Sequence, residues 1–187
     1  MSLGVVNLGK SHLKSRKKKK FANKVFDYGL FLLIVLIIVY FLSGYVVERM
    51  KVRNVSMQPT LNSGDNILID KISYRFRNPE RNEIIIFRQN KTGEELIKRV
   101  IGLPGESVLI KDGIIYIDGE EYKDIKSLDK PEYAGLASEK IRLMEGEYFV
   151  LGDNREESID SRYEEVGIVT DTRIIGRYFV RILRGKE

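Results

Sequence analysis

The chain has 187 residues, room for one soluble domain of ordinary size and a small addition. Apolar residues make up 43 % and charged residues 32 %, enough apolar surface for a core and too much charge for a polytopic membrane protein. There is no Cys, so there can be no disulfide, no thiolate metal site and no thiol nucleophile; the single His, His12, falls in a basic tail.

Residues 1–24 carry eight Lys or Arg (Lys10, Lys14, Arg16, Lys17, Lys18, Lys19, Lys20 and Lys24) and no acid. Without those eight the net charge of +5 becomes −3, so the basic character belongs to the tail. A nucleic-acid-binding domain would need the charge, with interleaved aromatics, in its folded part; no nucleic-acid partner is expected.

Tyr28 to Val47 (YGLFLLIVLIIVYFLSGYVV) contains no charged residue. Twenty residues at about 1.5 Å each make roughly 30 Å, the thickness of a bilayer core. Tyr28, Tyr40 and Tyr45 lie toward its ends, where an amphipathic ring suits the lipid–water boundary. A buried core helix would be shorter, and a cleaved signal peptide would carry a shorter apolar core and a small-residue site; the run ends in GYVVERM. The division expected is a basic cytoplasmic tail over 1–24, a transmembrane anchor over 25–48 and an extracytoplasmic domain over 49–187. Orientation follows from the basic residues, eight before the span and three (Arg49, Lys51, Arg53) in the twenty residues after it. Eight cations beside a cytoplasmic leaflet also favour contact with anionic membrane lipid.

After Met50 the apolar segments are short and rich in Val, Ile, Tyr and Phe. VRNV before Ser56 is strand-like. Asn66–Asp70, Glu83–Arg88, Leu96–Ile101, Ser107–Lys111, Ile114–Asp118, Tyr148–Leu151 and Ile174–Ile182 read as strands. Lys111-Asp112-Gly113 marks a tight hairpin, and Gly64, Gly105 and Gly119 mark further turns. The fold expected is mainly β, an N-terminal transmembrane helix followed by a mostly antiparallel β domain. The polar stretch 124–140 breaks the strand pattern and reads as a surface loop or insertion.

With no usable imidazole, the candidate chemistry is narrow. Ser56 stands at the end of VRNV, before the turn that Pro59 forces. Most serines in such places only cap a turn. Lys98 alternates with Leu96 and Val100 on one strand face, and Arg99 with Ile97 and Ile101 on the other. Either both cations snorkel to water or at least one is pressed against a core. Burial would lower a lysine pKa and leave an amine able to take a serine proton; a guanidinium cannot do this. Ser–Lys is thus the serine-hydrolase pairing the composition allows. The polar run GDNREESIDSR, residues 152–162, is either a solvated loop or a buried network around that lysine.

In chain order, SMQPTL (Ser56–Leu61), RNEIIIF (Arg81–Phe87), KRVIGLPGE (Lys98–Glu106) and GDNREESIDSR resemble the four sequence blocks of bacterial type I signal peptidases of the shorter Gram-positive kind. Asn82 and Glu83 depart from the Arg-Gly-Asp usual in the second block. The resemblance covers residues 25–183 and exceeds that to self-cleaving repressor-type Ser–Lys proteases, which lack a span. It implies a β catalytic domain of signal-peptidase type that removes signal peptides from exported preproteins without cofactor or metal. By it, Ser56 is the nucleophile, Lys98 the general base and then acid, and Ser158 the residue that orients the lysine. Asp153 with Arg99, and Asp160 with Arg162, are ion pairs shaping the site. Asn54 stands where some members have a serine donor to the oxyanion, and it can serve the turn instead. Met57, Leu61, Leu96 and Ile97 match positions lining the pockets for small residues one and three places before the cut. Independently of any family, the nine residues from Val47 to Ser56 reach at most about 30 Å. A nucleophile so tethered would meet substrates emerging from the bilayer.

Overall fold

The computed structural model describes residues 23–40, 46–123 and 130–183. Two compact units divide the chain, residues 1–44 and 45–187. In the first, Asn23–Tyr40 forms a helix, α1, that is 18 residues long, has no part buried, and is apolar enough to cross a membrane. A helix faced all round with Leu, Ile, Val and Phe is satisfied by lipid, since its backbone bonds are internal and its surface needs no water. Residues 1–22 of the basic tail lie outside the described residues, as do residues 41–45, while Lys24 falls in the first turn of α1. Val47, read from the sequence as the last residue of the span, begins a strand instead. Its partner is Asp70, and the preceding Val46 carbonyl accepts from the Lys71 N–H.

The second unit is built of strands. In chain order they are β1 (Val47–Lys51), β2 (Asn66–Asp70), β3 (Ile84–Arg88), β4 (Glu95–Gly102), β5 (Ser107–Lys111), β6 (Ile114–Ile117), β7 (Glu120–Glu121), β8 (Ile141–Arg142), β9 (Glu147–Leu151), β10 (Val169–Thr170) and β11 (Ile174–Leu183). One sheet has the order β1-β2-β11-β3-β4-β9-β10 and the other β7-β6-β5-β8. Every pairing is antiparallel, as expected of a mainly β domain.

The sequence accounts for these elements locally. β3 reads as an unbroken IIIF because both of its faces are buried. Ile84 and Ile86 join a core with Ile67, Ile69, Met57 and Leu61, while Ile85 and Phe87 join another with Val100, Tyr148 and Val150. A third core, around Ile101, Phe149 and Leu151, includes Val108, Ile110 and Ile115 of the smaller sheet. In the β5–β6 hairpin Lys111 faces Ile114, which leaves Asp112 and Gly113 as a two-residue turn, both with positive φ (52° and 73°). That is the geometry the right-handed twist of a hairpin demands.

One expectation meets a different structure, and another gains detail. The strand before Ser56 lies earlier than VRNV, at Val47–Lys51. Val52 still exchanges backbone bonds with Asp65 and Gly64, after which the chain leaves the sheet and turns, Gln58 N–H donating to the Val55 carbonyl. The stretch read as a surface loop over 124–140 is described only from residue 130. It contains a 3-10 turn, Gly135–Ser138, in which Ala137 is fully buried and the Leu136 N–H donates to the Arg162 carbonyl. A small apolar residue inside a polar run gives little signal, yet Ala137 joins the core with Ile101, Val108 and Ile110.

Candidate active site

β4 carries both cations of the Lys-Arg pair into the interior: Lys98 is 2 % exposed and Arg99 4 %. Neither snorkels. Arg99 is matched by a carboxylate, its Nε donating to Asp153 Oδ1 at 2.7 Å and its Nη2 to Oδ2. Among the described residues Lys98 has no such partner; its Nζ donates to Ser56 Oγ at 2.7 Å, inside the protein. Burial pulls the Lys98 ammonium from its ordinary 10.5 down to about 8, the charges of Asp160 and Asp153 opposing the shift and Arg162 assisting it. The amine is therefore neutral in a large fraction of molecules at mildly alkaline pH, and a neutral amine beside a hydroxyl can accept its proton.

Ser56 is held by the turn that follows β1. The Leu61 N–H donates to the Met57 carbonyl, and Leu61 itself is fully buried, pinning the turn to the core. From the other side the Asn154 N–H donates to the Ser56 carbonyl at 3.1 Å. Gly152 makes this approach possible. A Cβ there would lie 2.2 Å from Ser158 Oγ and 2.5 Å from the Ser56 carbonyl oxygen.

The 152–162 loop is a buried network, not a solvated loop. Asp160 accepts from the Gly152 N–H at 3.0 Å and from Arg162 Nε at 2.8 Å and Nη2 at 3.0 Å. Arg162 also donates to the carbonyls of Tyr133, Arg155 and Ser158. Ser158 is 1 % exposed, and its hydroxyl has no hydrogen-bond partner among the described residues. The bond from Ser158 to Lys98 implied by the resemblance is not formed, although the Ser158 side chain abuts Gly152 beside Ser56.

The departures at Asn82 and Glu83 are explained by what each residue does. Asn82 has φ of 71°, in the left-handed region where Gly is easiest and Asn is tolerated. Its carbonyl accepts from Arg99 Nη1 at 2.7 Å, so it helps to aim the arginine beside Lys98. The Glu83 carboxylate accepts from both terminal guanidinium nitrogens of Arg77, the Tyr74 hydroxyl and the Glu80 N–H.

A cleft of about 430 Å³ opens on Ser56 and Lys98, lined by residues 48–54 on one side and 94–98 on the other, with Met57 at its floor. Both walls are strand edges. β1 pairs with β2 alone, and β9 joins β4 only from Arg99 onward, opposite Leu151. Residues 95–98 thus have an edge that no described strand covers. Asn54, Met57, Leu96 and Ile97 line the cleft; Leu61 does not, being buried in the core beneath Met57. The residues whose importance the sequence did not signal are Gly152 and Thr60. The Thr60 hydroxyl donates to Asp153 Oδ2 across 93 positions of chain, a contact no local pattern encodes.

The structure thus sets a buried serine–lysine contact in a cleft bounded by two strand edges on a β domain. The family model for "Signal peptidase, peptidase S26" matches residues 25–183. A probable signal peptidase I-2 of Synechocystis sp. is 37 % identical over 143 residues, covering 73 % of this chain and 63 % of that one. The signal peptidase I of Leptolyngbya laminosa is 39 % identical over 145 residues, covering 73 % and 69 %. A crystal structure of a signal peptidase I from Enterococcus faecalis V583 aligns at 33 % identity with a TM-score of 0.43, over 54 % of this chain and 97 % of that one. The chain belongs to the signal peptidase family, peptidase S26, and is a hydrolase of signal-peptidase type.

Proposed function

We propose that this protein is a membrane-bound serine endopeptidase that removes signal peptides from exported preproteins, with Ser56 as nucleophile and Lys98 as its base. The observation that carries the reading is the buried 2.7 Å contact between Lys98 Nζ and Ser56 Oγ, at a lysine whose pKa burial lowers to about 8. The neutral amine takes the hydroxyl proton as Ser56 Oγ attacks the scissile carbonyl. The Ser56 N–H and the Asn54 amide receive the oxyanion. Lys98 then returns the proton to the leaving amine, and repeats both steps with water to release the acyl group.

The substrate lies extended between the edge of residues 48–54 and that of residues 94–98, adding a strand by backbone hydrogen bonds. Met57, Leu96 and Ile97 present apolar surface to its small residues one and three places before the cut. α1 anchors the enzyme, with the Lys-rich tail cytoplasmic and the β domain on the far side. The short tether from anchor to Ser56 selects substrates leaving the bilayer. The preprotein and membrane lipid are thus its partners.

The test is cleavage of a purified precursor in detergent. Ser56→Ala and Lys98→Ala each abolish cleavage while the fold, read by circular dichroism, is kept; full activity in either sinks the mechanism. Protease added outside intact cells should digest the β domain, and protection would reverse the orientation.

A further inference from the structure

Thr60 lies four residues beyond the nucleophile, on the same turn, and its hydroxyl meets both of the other segments that build the site. Oγ1 donates to Asp153 Oδ2 and accepts from Arg99 Nη2 at 3.3 Å. Arg99 is the β4 neighbour of Lys98, and Asp153 precedes Asn154, whose N–H holds the Ser56 carbonyl at 3.1 Å. Two rings of contacts close through this one hydroxyl. One runs from Ser56 along the turn to Thr60, then through Asp153 and Asn154 back to Ser56. The other runs from Thr60 through Arg99 to Lys98 and across to Ser56 Oγ. Among the described residues no other side chain of the turn is bonded to both β4 and the 152–162 loop, apart from Ser56 itself, whose side chain reaches β4 and whose backbone reaches the loop.

The bidentate Arg99–Asp153 pair is complete without Thr60, since Nε and Nη2 each reach a carboxylate oxygen. A hydroxyl kept only to satisfy that pair would be redundant. Its distinctive consequence is positional: it fixes how far the nucleophile turn can slide along β4.

We propose that Thr60 is a positioning residue that sets the register of the nucleophile turn against β4, and thereby the separation of Ser56 Oγ from Lys98 Nζ. The inference rests on the Ser–Lys reading above. Misplacing reacting groups by about 1 Å can cost on the order of 100-fold in rate. Substrate binding rests mainly on the strand edges of residues 48–54 and 94–98, with Met57 the one contact on the turn itself, so it depends far less on this register than the Ser56–Lys98 separation does.

The experiment compares full-length Thr60→Val, Thr60→Ala, Thr60→Ser and Ser56→Ala with the parent chain in detergent, Thr60→Ala standing in for Thr60→Val should the latter fail to fold. The probe is a synthetic peptide spanning a precursor cleavage site, and rates are normalised to folded protein. Thr60→Val keeps the side-chain shape and removes the hydroxyl; kcat should fall about 10- to 100-fold with KM within about twofold. Thr60→Ser should restore kcat to within about threefold of the parent, and the kcat ionisation near pH 8 should stay in place in both variants. Parental kcat in Thr60→Val overturns the proposal. So does a folded Thr60→Ser as slow as Thr60→Val, or a shifted ionisation that restores the rate at higher pH, which would make the effect electrostatic. If Thr60→Val and Thr60→Ala both fail to fold while Thr60→Ser folds, the hydroxyl serves the fold and the proposal is wrong. Activity in Ser56→Ala would sink the Ser–Lys reading itself; an inactive Ser56→Ala beside a fully active Thr60→Val sinks only the role of Thr60.

Discussion

Lys98 Nζ and Ser56 Oγ stand 2.7 Å apart, both residues largely buried at the side of the cleft, and among the described residues no carboxylate is bonded to the lysine. An ammonium in such a place is destabilised relative to the neutral amine. The fall from 10.5 to about 8 corresponds to about 3 kcal/mol, at roughly 1.4 per pKa unit. The same burial that makes Lys98 a base is therefore a cost to the fold.

The rate of cleavage should follow the lysine. Only the neutral amine accepts the Ser56 proton, so kcat/KM should rise with pH through one ionisation near 8 and then level. Lys98→Arg should be inactive across the range, because a guanidinium does not give up its proton. Initial rates on a precursor peptide from pH 6 to 10 check this; a flat profile would contradict it.

Stability should also rise with pH as the lysine loses its proton, but over a different window. The folded-state pKa is depressed, so between about pH 8 and 10.5 the unfolded chain holds a proton that the folded protein has lost. Stability of the parent chain therefore rises with pH across that window, and the penalty is fully present below it. Lys98→Met fills similar volume without the charge. It should be more stable than the parent at pH 7, by up to about 3 kcal/mol, with the gap closing between pH 8 and 10.5. Denaturant unfolding of both proteins at pH 7 and pH 10 measures the difference; an equal gap at the two pH values would contradict the linkage.

These groups differ in how readily the sequence discloses them. Strands buried on one or both faces declare themselves: Asn66–Asp70 and Ser107–Lys111 are found residue for residue, and the turn at Asp112-Gly113 is where its chemistry requires. β1 does not, because VERMK is an edge strand with Arg49 and Lys51 exposed, and alternating charge mimics a solvated linker. Lys98 among Ile, Leu and Val could be suspected of burial from periodicity, but that Arg99 is buried with it depends on Asp153, distant in the chain. The cleft is least legible of all. It exists because β4 outruns β9 by four residues, a property of pairing between strands and not of either strand alone.

Gly152 is the point where two site elements nearly touch. A methyl group there would meet Ser158 Oγ at 2.2 Å and the backbone oxygen of Ser56 at 2.5 Å. Ser158 Oγ could rotate away, but Ser158 Cβ, also at 2.5 Å, yields only if its backbone moves, and the Ser56 oxygen is main chain and yields only by moving the nucleophile or the loop. Gly152→Ala should therefore cost about 1–3 kcal/mol in unfolding free energy and lower kcat far more than it raises KM. Unfolding curves and steady-state kinetics on the same preparation check both parts, and parental kcat would show that the loop retreats without carrying Ser56 along.

Asn54 is exposed on the wall of the cleft, two residues before the nucleophile. A side-chain amide there can donate to an oxyanion forming at Ser56, as a second donor beside the Ser56 N–H. A donor of this kind acts on the tetrahedral state more than on the bound substrate, and its removal typically costs about 100- to 1,000-fold in kcat. Asn54→Ala should show that loss with KM changed by little, and Asn54→Ser, which keeps a donor on a shorter side chain, should recover part of it. The alternative is that Asn54 only shapes the turn. It predicts the reverse division, a modest fall in stability with kcat per folded enzyme unchanged. Thermal unfolding measured alongside kcat and KM separates the two, and an unchanged kcat removes Asn54 from the oxyanion site.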